Sequence, residues 1–198
     1  MTSFDTGQQA VRAVFTDLDG TLVSTKRANY GAYRDALASV GVDFSWQTFL
    51  STWGADSRDF LPLVAPELSR AQIDEVRAEK ARRYPGYLRT TELNEPLVRL
   101  LRTWASSVPV ALVTTAKRDG VDAVIAHHGL ERLFSFIVCG DDIERSKPEP
   151  EAYSLAVEAV GLRPAECVTF EDSDVGIEAA ERAGVAVIRV NWSGDEKN

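Results

Sequence analysis

Apolar residues gather along the chain in five short runs, each about the length of a buried strand: Val11 to Thr16, Val108 to Thr114, Ser135 to Cys139, Cys167 to Phe170 and Ala186 to Val190. Between the last four the spacing changes to that of helices. Leu97, Leu100, Leu101 and Trp104 form one stripe; Tyr153, Leu155, Ala156, Ala159 and Val160 form another. Gly129, Gly161 and Gly184 each follow a helical segment, where a left-handed residue closes the last turn, and Pro150 suits a first turn. Strands alternating with helices predict an α/β fold: a Rossmann-like parallel β-sheet with right-handed crossovers and helices on both faces.

The stretch between the first and second runs breaks this rhythm. From Val23 to Glu92 no convincing strand pattern appears. Tyr30, Tyr33, Leu37 and Val40 recur on one helical face, and Ser69 followed by Gln72 is a capping-box signature ahead of Ile73, Val76 and Tyr84. A connection this long carries structure of its own. The expectation is a core of residues 1–23 and 93–198, with an inserted α-helical cap domain over 24–92.

With 198 residues, 44% of them hydrophobic, the chain can bury one good core and a smaller insert. No run reaches the roughly 18 apolar residues that span a bilayer. Met1 to Ala10 is polar and small and reads as a tail, with no signal-peptide pattern. Cys139 and Cys167 sit in separate apolar runs without ligand spacing, so they read as buried thiols in a reducing, cytoplasmic setting. The net charge of −8 makes nucleic acid and membrane poor partners. An anionic substrate would then need a cation to draw it in. No apolar stripe exceeds what the core needs, so oligomeric state is not legible.

Open parallel sheets bind ligands at the carboxyl ends of their strands. After the first run comes Asp17-Leu18-Asp19-Gly20-Thr21, and after the second Thr114 and Thr115. After the third come Asp141, Asp142 and Ser146-Lys147-Pro148; after the fourth, Glu171-Asp172-Ser173. Singly, each has an ordinary explanation. Asp-Gly is a common turn, Thr115, Ser173 or Asp174 could cap helices, and Lys147 could be a loop lysine. Together, at four successive strand ends, they form a pattern that chance rarely produces. Two unit charges about 4 Å apart repel by roughly 4 kcal/mol at an intermediate dielectric. Asp17, Asp19, Glu171 and Asp172 therefore need a cation among them. Oxygen-only ligands point to Mg²⁺, which also accepts phosphate oxygens.

The run Val14 to Leu22 resembles the first motif of the haloacid dehalogenase superfamily, in its phosphatase form. Val110 to Thr114 with Thr115 resembles the second, Lys147-Pro148 the third, and Phe170 to Ser173 through Gly176 and Ala179-Ala180 the fourth. The insert position is similar to that of the subfamily holding phosphoglycolate phosphatases and β-phosphoglucomutase. The resemblance implies a phosphatase acting on a small phosphorylated metabolite through an aspartyl-phosphate. Asp17 would be the nucleophile and Asp19 the general acid and base. Mg²⁺ would be held by Asp17, Asp172 and the Asp19 backbone, with Glu171 nearby as a further metal candidate or a partner for Lys147. Gly20, Thr114, Thr115 and Lys147 would form the phosphate-binding set. Asn29 and Arg58 are the cap residues expected to meet substrate, Arg58 because Trp53 to Arg58 resembles the subfamily's substrate loop, with an exposed structural arginine as the alternative; Lys80 reads as surface. Asn29 stands where β-phosphoglucomutase-like members carry a histidine, which favours hydrolysis over mutase chemistry. Rival readings are a phosphomutase, a phosphonatase using Lys26, a non-catalytic binding protein, and a receiver-like phosphoacceptor. The large insert and the Asp-x-Asp spacing disfavour the last, and the intact acidic set disfavours the binding protein.

Overall fold

The computed structural model describes residues 10–192, so the tail expected over Met1 to Ala10 lies almost wholly outside it. Five strands form one parallel sheet: β1 (Ala13–Thr16), β4 (Val110–Val113), β5 (Phe136–Val138), β6 (Cys167–Glu171) and β7 (Ala186–Arg189), in the order β5-β4-β1-β6-β7. The chain winds from β1 outward through β4 to β5, then returns to the far side of β1 for β6 and β7. The order therefore reverses at β1, which leaves a crevice beyond its carboxyl end.

Both faces of the central strands are dry, which explains why those strands read as continuous apolar runs. Val14, Val110, Leu112, Val168 and Phe170 point to one side and pack with α5 (Glu95–Trp104) and α6 (Arg118–His128). Ala13, Phe15, Ala111, Val113 and Cys167 point to the other, against α7 (Glu151–Val160) and α8 (Asp174–Arg182). Gly129 and Gly161 close α6 and α7 in the left-handed conformation. Cys139 and Cys167 are buried free thiols. Two sequence expectations need correction. β7 is not a buried strand, since Ala186, Ile188 and Arg189 are exposed among the described residues. Leu100 is also exposed, because α5 turns Leu97, Val98 and Leu101 inward.

The insert begins and ends on a two-residue ribbon: β2 (Val23–Ser24) pairs antiparallel with β3 (Glu92–Leu93). No sequence pattern marks it, because two residues carry no period. Asn94 fastens the exit to the loop after β1, its backbone N–H donating to Leu22 and its side chain to the Thr21 carbonyl. Between the ribbons run α1 (Lys26–Ala38), α2 (Trp46–Thr52), α3 (Ser57–Val64) and α4 (Arg70–Arg83), then a 3₁₀ segment from Tyr84 to Thr90. Ser45, Asp56 and Ser69 cap the second, third and fourth helices, and Ser69 and Gln72 form the reciprocal capping box. These helices enclose a cluster of their own, rich in Phe44, Phe49, Phe60 and Leu61.

Gly31, inside α1, faces the ring of Tyr87, whose hydroxyl is held by Asp35. A Cβ at Gly31 would lie 2.4 Å from a ring atom. Alanine normally favours a helix interior over glycine by roughly 0.5–1 kcal/mol. Here overpacking, at about 1–3 kcal/mol, outweighs that gain. Gly31→Ala is expected to lower the urea midpoint, and a raised midpoint would show that the ring moves aside freely.

Candidate active site

Asp17 emerges from the central strand into the crevice, with its backbone N–H donating to Phe170 of the neighbouring strand. Lys147 arrives from the loop after β5. Its ammonium donates to Asp17 Oδ1 at 2.7 Å, to Glu171 Oε1 at 2.5 Å and to the Val113 carbonyl at 3.1 Å. All three N–H bonds are thus taken, and the lysine ties the ends of β1, β4 and β6 together. Glu171 is fully buried and receives Tyr153 Oη at 2.8 Å and Ser173 Oγ at 3.2 Å as well. Asp172 accepts from Thr21 Oγ1 at 2.9 Å.

Gly20 has φ +94°, and a Cβ there would come within 2.4 Å of Asp172 Oδ2. Only glycine both makes this turn and lets the first loop approach the fourth. The sequence placed Gly20 among the phosphate-binding residues. Its N–H is instead used within the turn, donating to Val23 at 2.8 Å.

Burial raises the Asp17 carboxyl well above the usual range. Lys147 opposes this, but Glu171, Asp172 and Asp19 reinforce it. Lys147 remains firmly charged: burial would lower it, but Asp17, Tyr153 and Glu171 outweigh that. Burial also raises Asp172, with Thr21 opposing and Glu171 adding. One oxygen each from Asp17, Glu171 and Asp172 lies within 4.8 Å of the others. Three hard oxygen donors, crowded and short of positive charge, fit a divalent cation of the Mg²⁺ type.

Asp19 stands apart from this cluster. Its carboxyl accepts from Thr25 Oγ1 and interacts with Asn29, whose Nδ2 also donates to the Thr25 carbonyl at 3.2 Å. Burial raises Asp19, only partly offset by Thr25, Lys80, Lys147 and Asn29. Two aspartates two residues apart are therefore set in different surroundings, one at the cation cluster and one under the helices of the insert. That is how acid and base roles become separated.

Thr114 is buried at the end of β4, its Oγ1 accepting from the Ala116 N–H, while Thr115 is exposed. Neither caps α6, which starts without a side-chain cap. Ser173 does cap α8. Asp141 and Asp142 bind Lys117 and Arg118, bracing the loop after β5 and not joining the acidic cluster. Arg58 is exposed and paired with Asp56 at 2.8 Å. His127 and His128 end α6, and His128 Nε2 meets Thr91 Oγ1 at 2.7 Å beside the exit ribbon.

Lys80 was read as surface, and the structure corrects this. Its ammonium lies over the rings of Tyr84 at 4.4 Å and Tyr33 at 5.1 Å. Burial lowers it to about 8, against the pull of Asp19. A signal for this existed, since Ile73, Val76 and Lys80 fall on one face of α4 with Tyr84 in line just past its end, and a lysine on an apolar face is out of place.

Residues 11–184 match the family described as "Hydrolase: haloacid dehalogenase-like hydrolase". Fructose-1-phosphate phosphatase YqaB of Escherichia coli is 30% identical over 88% of this chain and 93% of that protein. A phosphorylated carbohydrates phosphatase of Thermotoga maritima is 31% identical over 88% of this chain and 82% of that one. A crystal structure of a putative phosphoglycolate phosphatase from Lactobacillus plantarum superposes with TM-score 0.82 at 21% identity, covering 96% and 90% of the two chains. That last likeness concerns the fold alone.

Asp17 and Asp19 bind protons more tightly folded than unfolded. Without divalent cations, their contribution to stability grows as pH falls through the raised values towards about 4, where the unfolded carboxyls titrate. His128, lowered by burial and by His127, acts in the opposite sense below about 6.5. Comparing the wild type with Asp19→Asn cancels the histidine. In EDTA at neutral pH, Asp19→Asn should be the more stable protein in urea unfolding, and its advantage should shrink towards pH of about 5. A constant advantage would contradict a raised Asp19.

Proposed function

The chain belongs to the haloacid dehalogenase-like hydrolase family, and we propose that it is a Mg²⁺-dependent phosphatase that hydrolyses a small phosphorylated sugar through an aspartyl-phosphate on Asp17. One observation carries this reading: the contrast between Asp17, held by Lys147 beside two further carboxylates, and Asp19, held by Thr25 and Asn29. Binding alone would not need both aspartates.

Asp17, Asp172 and, through its backbone, Asp19 would hold the Mg²⁺, with Glu171 adjoining. Bound there, the ion would lower the pKa of Asp17 and offset the charge of the phosphoryl group. The Asp17 carboxylate attacks phosphorus as the ester oxygen departs. Lys147 exchanges one of its protein acceptors for a phosphoryl oxygen, and Thr114 lies at the neighbouring strand end to receive another. Asp19, whose protonated form burial favours, gives its proton to the leaving oxygen. It then takes one from the water that cleaves the acyl-phosphate. The electron pair of the broken P–O bond leaves with the alcohol in the first step and with Asp17 in the second.

The segment over 24–92 acts as a cap, shielding the site between the steps and choosing the ester. The relatives' names, a fructose-1-phosphate phosphatase and a phosphorylated carbohydrates phosphatase, support a sugar phosphate as substrate. Lys80, paired with Tyr33 and Tyr84, offers a cation on the cap side of Asp19 for the polar end of such a substrate. Asn29 favours hydrolysis over mutase chemistry. It lies next to Asp19 and carries no titratable proton to exchange there.

Phosphate release from a panel of sugar and glycolate-like phosphates is expected with Mg²⁺ and not with EDTA. Asp17→Asn should fold and lose turnover by at least about 10³-fold, on the scale of removing a covalent nucleophile. Folded, metal-supplied protein that spares every ester, or an active Asp17→Asn, would overturn the proposal. Lys80→Met should raise KM about 10–100-fold, the cost of losing a charged hydrogen bond, with kcat less affected. An unchanged KM would remove Lys80 from the binding surface.

A further inference from the structure

Tyr153 occupies the buried face of α7, where the sequence pattern marks it only as one member of an apolar stripe. Its ring packs in the cluster with Phe15, Val113 and Ala156, yet its hydroxyl is aimed at the catalytic end of the sheet. That hydroxyl donates to Glu171 Oε1 at 2.8 Å and accepts from Thr169 Oγ1 at 3.4 Å. The Lys147 ammonium lies 5.1 Å from the centre of the same ring. A phenylalanine would fill the cluster as well, so packing does not explain the oxygen.

Glu171 has little freedom left. Oε1 accepts from both Lys147 and Tyr153, and Oε2 accepts from Ser173. Behind it, a Cβ on Gly176 would lie 2.1 Å from the carboxyl group. Helix α8 thus leaves room for this carboxylate and nothing more. A carboxylate has about four lone-pair sites, and three of them are engaged with protein donors. Still, an oxygen of Glu171 lies within reach of the cation cluster of Asp17 and Asp172. The residue faces two claims, from the lysine and from the metal.

We propose that Tyr153 is a positioning residue that settles this competition: by donating to Glu171 Oε1 it keeps the carboxylate as the counter-ion of Lys147 and away from the cation held by Asp17 and Asp172. The inference rests on the phosphatase reading of the site. Tyr153 touches no substrate, and its effect passes entirely through Glu171. By sharing Oε1, the phenol also weakens the hold of Glu171 on Lys147. The lysine can then give up one protein acceptor when a phosphoryl group arrives. Without the hydroxyl, Glu171 is one donor short, and a cation is the partner within reach.

The test is Tyr153→Phe, which removes one oxygen and keeps the ring. Mg²⁺ affinity is measured by calorimetry on wild type and variant without substrate, alongside kcat and KM for the best ester found. The variant is expected to bind Mg²⁺ about 3–10-fold more tightly, to lose about 10-fold in kcat and to keep KM within about twofold, the scale of one hydrogen bond to a charged group. Unchanged or weaker Mg²⁺ binding overturns the inference whatever happens to kcat, because lost packing alone would not strengthen a metal site. A wild type that binds Mg²⁺ and releases phosphate beside a variant identical to it overturns the role of Tyr153 and leaves the phosphatase standing. A wild type that binds no Mg²⁺ and releases no phosphate overturns the reading of the site, and the inference with it.

Discussion

One buried lysine holds this site together. Lys147 joins the carboxylates of Asp17 and Glu171 and the backbone at the end of β4, using every proton on its ammonium. Removing one partner from a buried ion pair is costly, of the order of 3–5 kcal/mol, because the other charge is left without compensation. Even so, one lysine is too little charge for Asp17, Glu171, Asp172 and Asp19 gathered around the crevice. Burial, with the neighbouring carboxylates adding to it, disfavours the ionised forms of Asp17 and Asp172. Under the proposed function, a divalent ion would relieve this and draw an anionic substrate to a protein whose net charge is −8.

The sheet supplies the rigidity that such crowding demands. β1 is buried on both faces, hydrogen-bonded on both edges and placed where the strand order reverses. The loop leaving it must then pass close to the loop leaving β6, and Gly20 and Gly176 give the clearance for Asp172 and Glu171 respectively. Thr21 and Asn94 extend the same network outward, linking Asp172 to the first loop and that loop to the exit from the insert. The acidic centre and the base of the helical segment are therefore one hydrogen-bonded unit, separated by a few residues.

Much of this was legible in the sequence, for a physical reason. A strand buried on both faces is mostly apolar, so a cluster of carboxylates and hydroxyls marks its end. Those residues, Asp17, Thr114 and Asp172 among them, line the crevice. The strand ends and the caps at Ser69 and Ser173 follow from local rules and are where the pattern places them. What escaped depends on tertiary packing. Lys80 and Tyr153 look like a surface cation and a core ring until their neighbours are known. The β2–β3 ribbon is too short to carry a period, and β7 has the composition of an inner strand although it lies at the edge. Arg58 was singled out by the family resemblance, and in the structure its guanidinium is paired with Asp56 at the start of α3.

The ribbon of Val23–Ser24 and Glu92–Leu93 has one more consequence. The chain departs from the sheet and comes back to it at the same spot, so nothing in the sheet registers the length or shape of what lies between. Helices can be added, lost or remodelled beyond that gateway while Asp17 and Asp172, held by Lys147 and Thr21, keep their places. Under the proposed function, such a gateway would make selectivity a replaceable accessory to a fixed chemical engine, and one scaffold could serve many metabolites by changing only what is threaded through it.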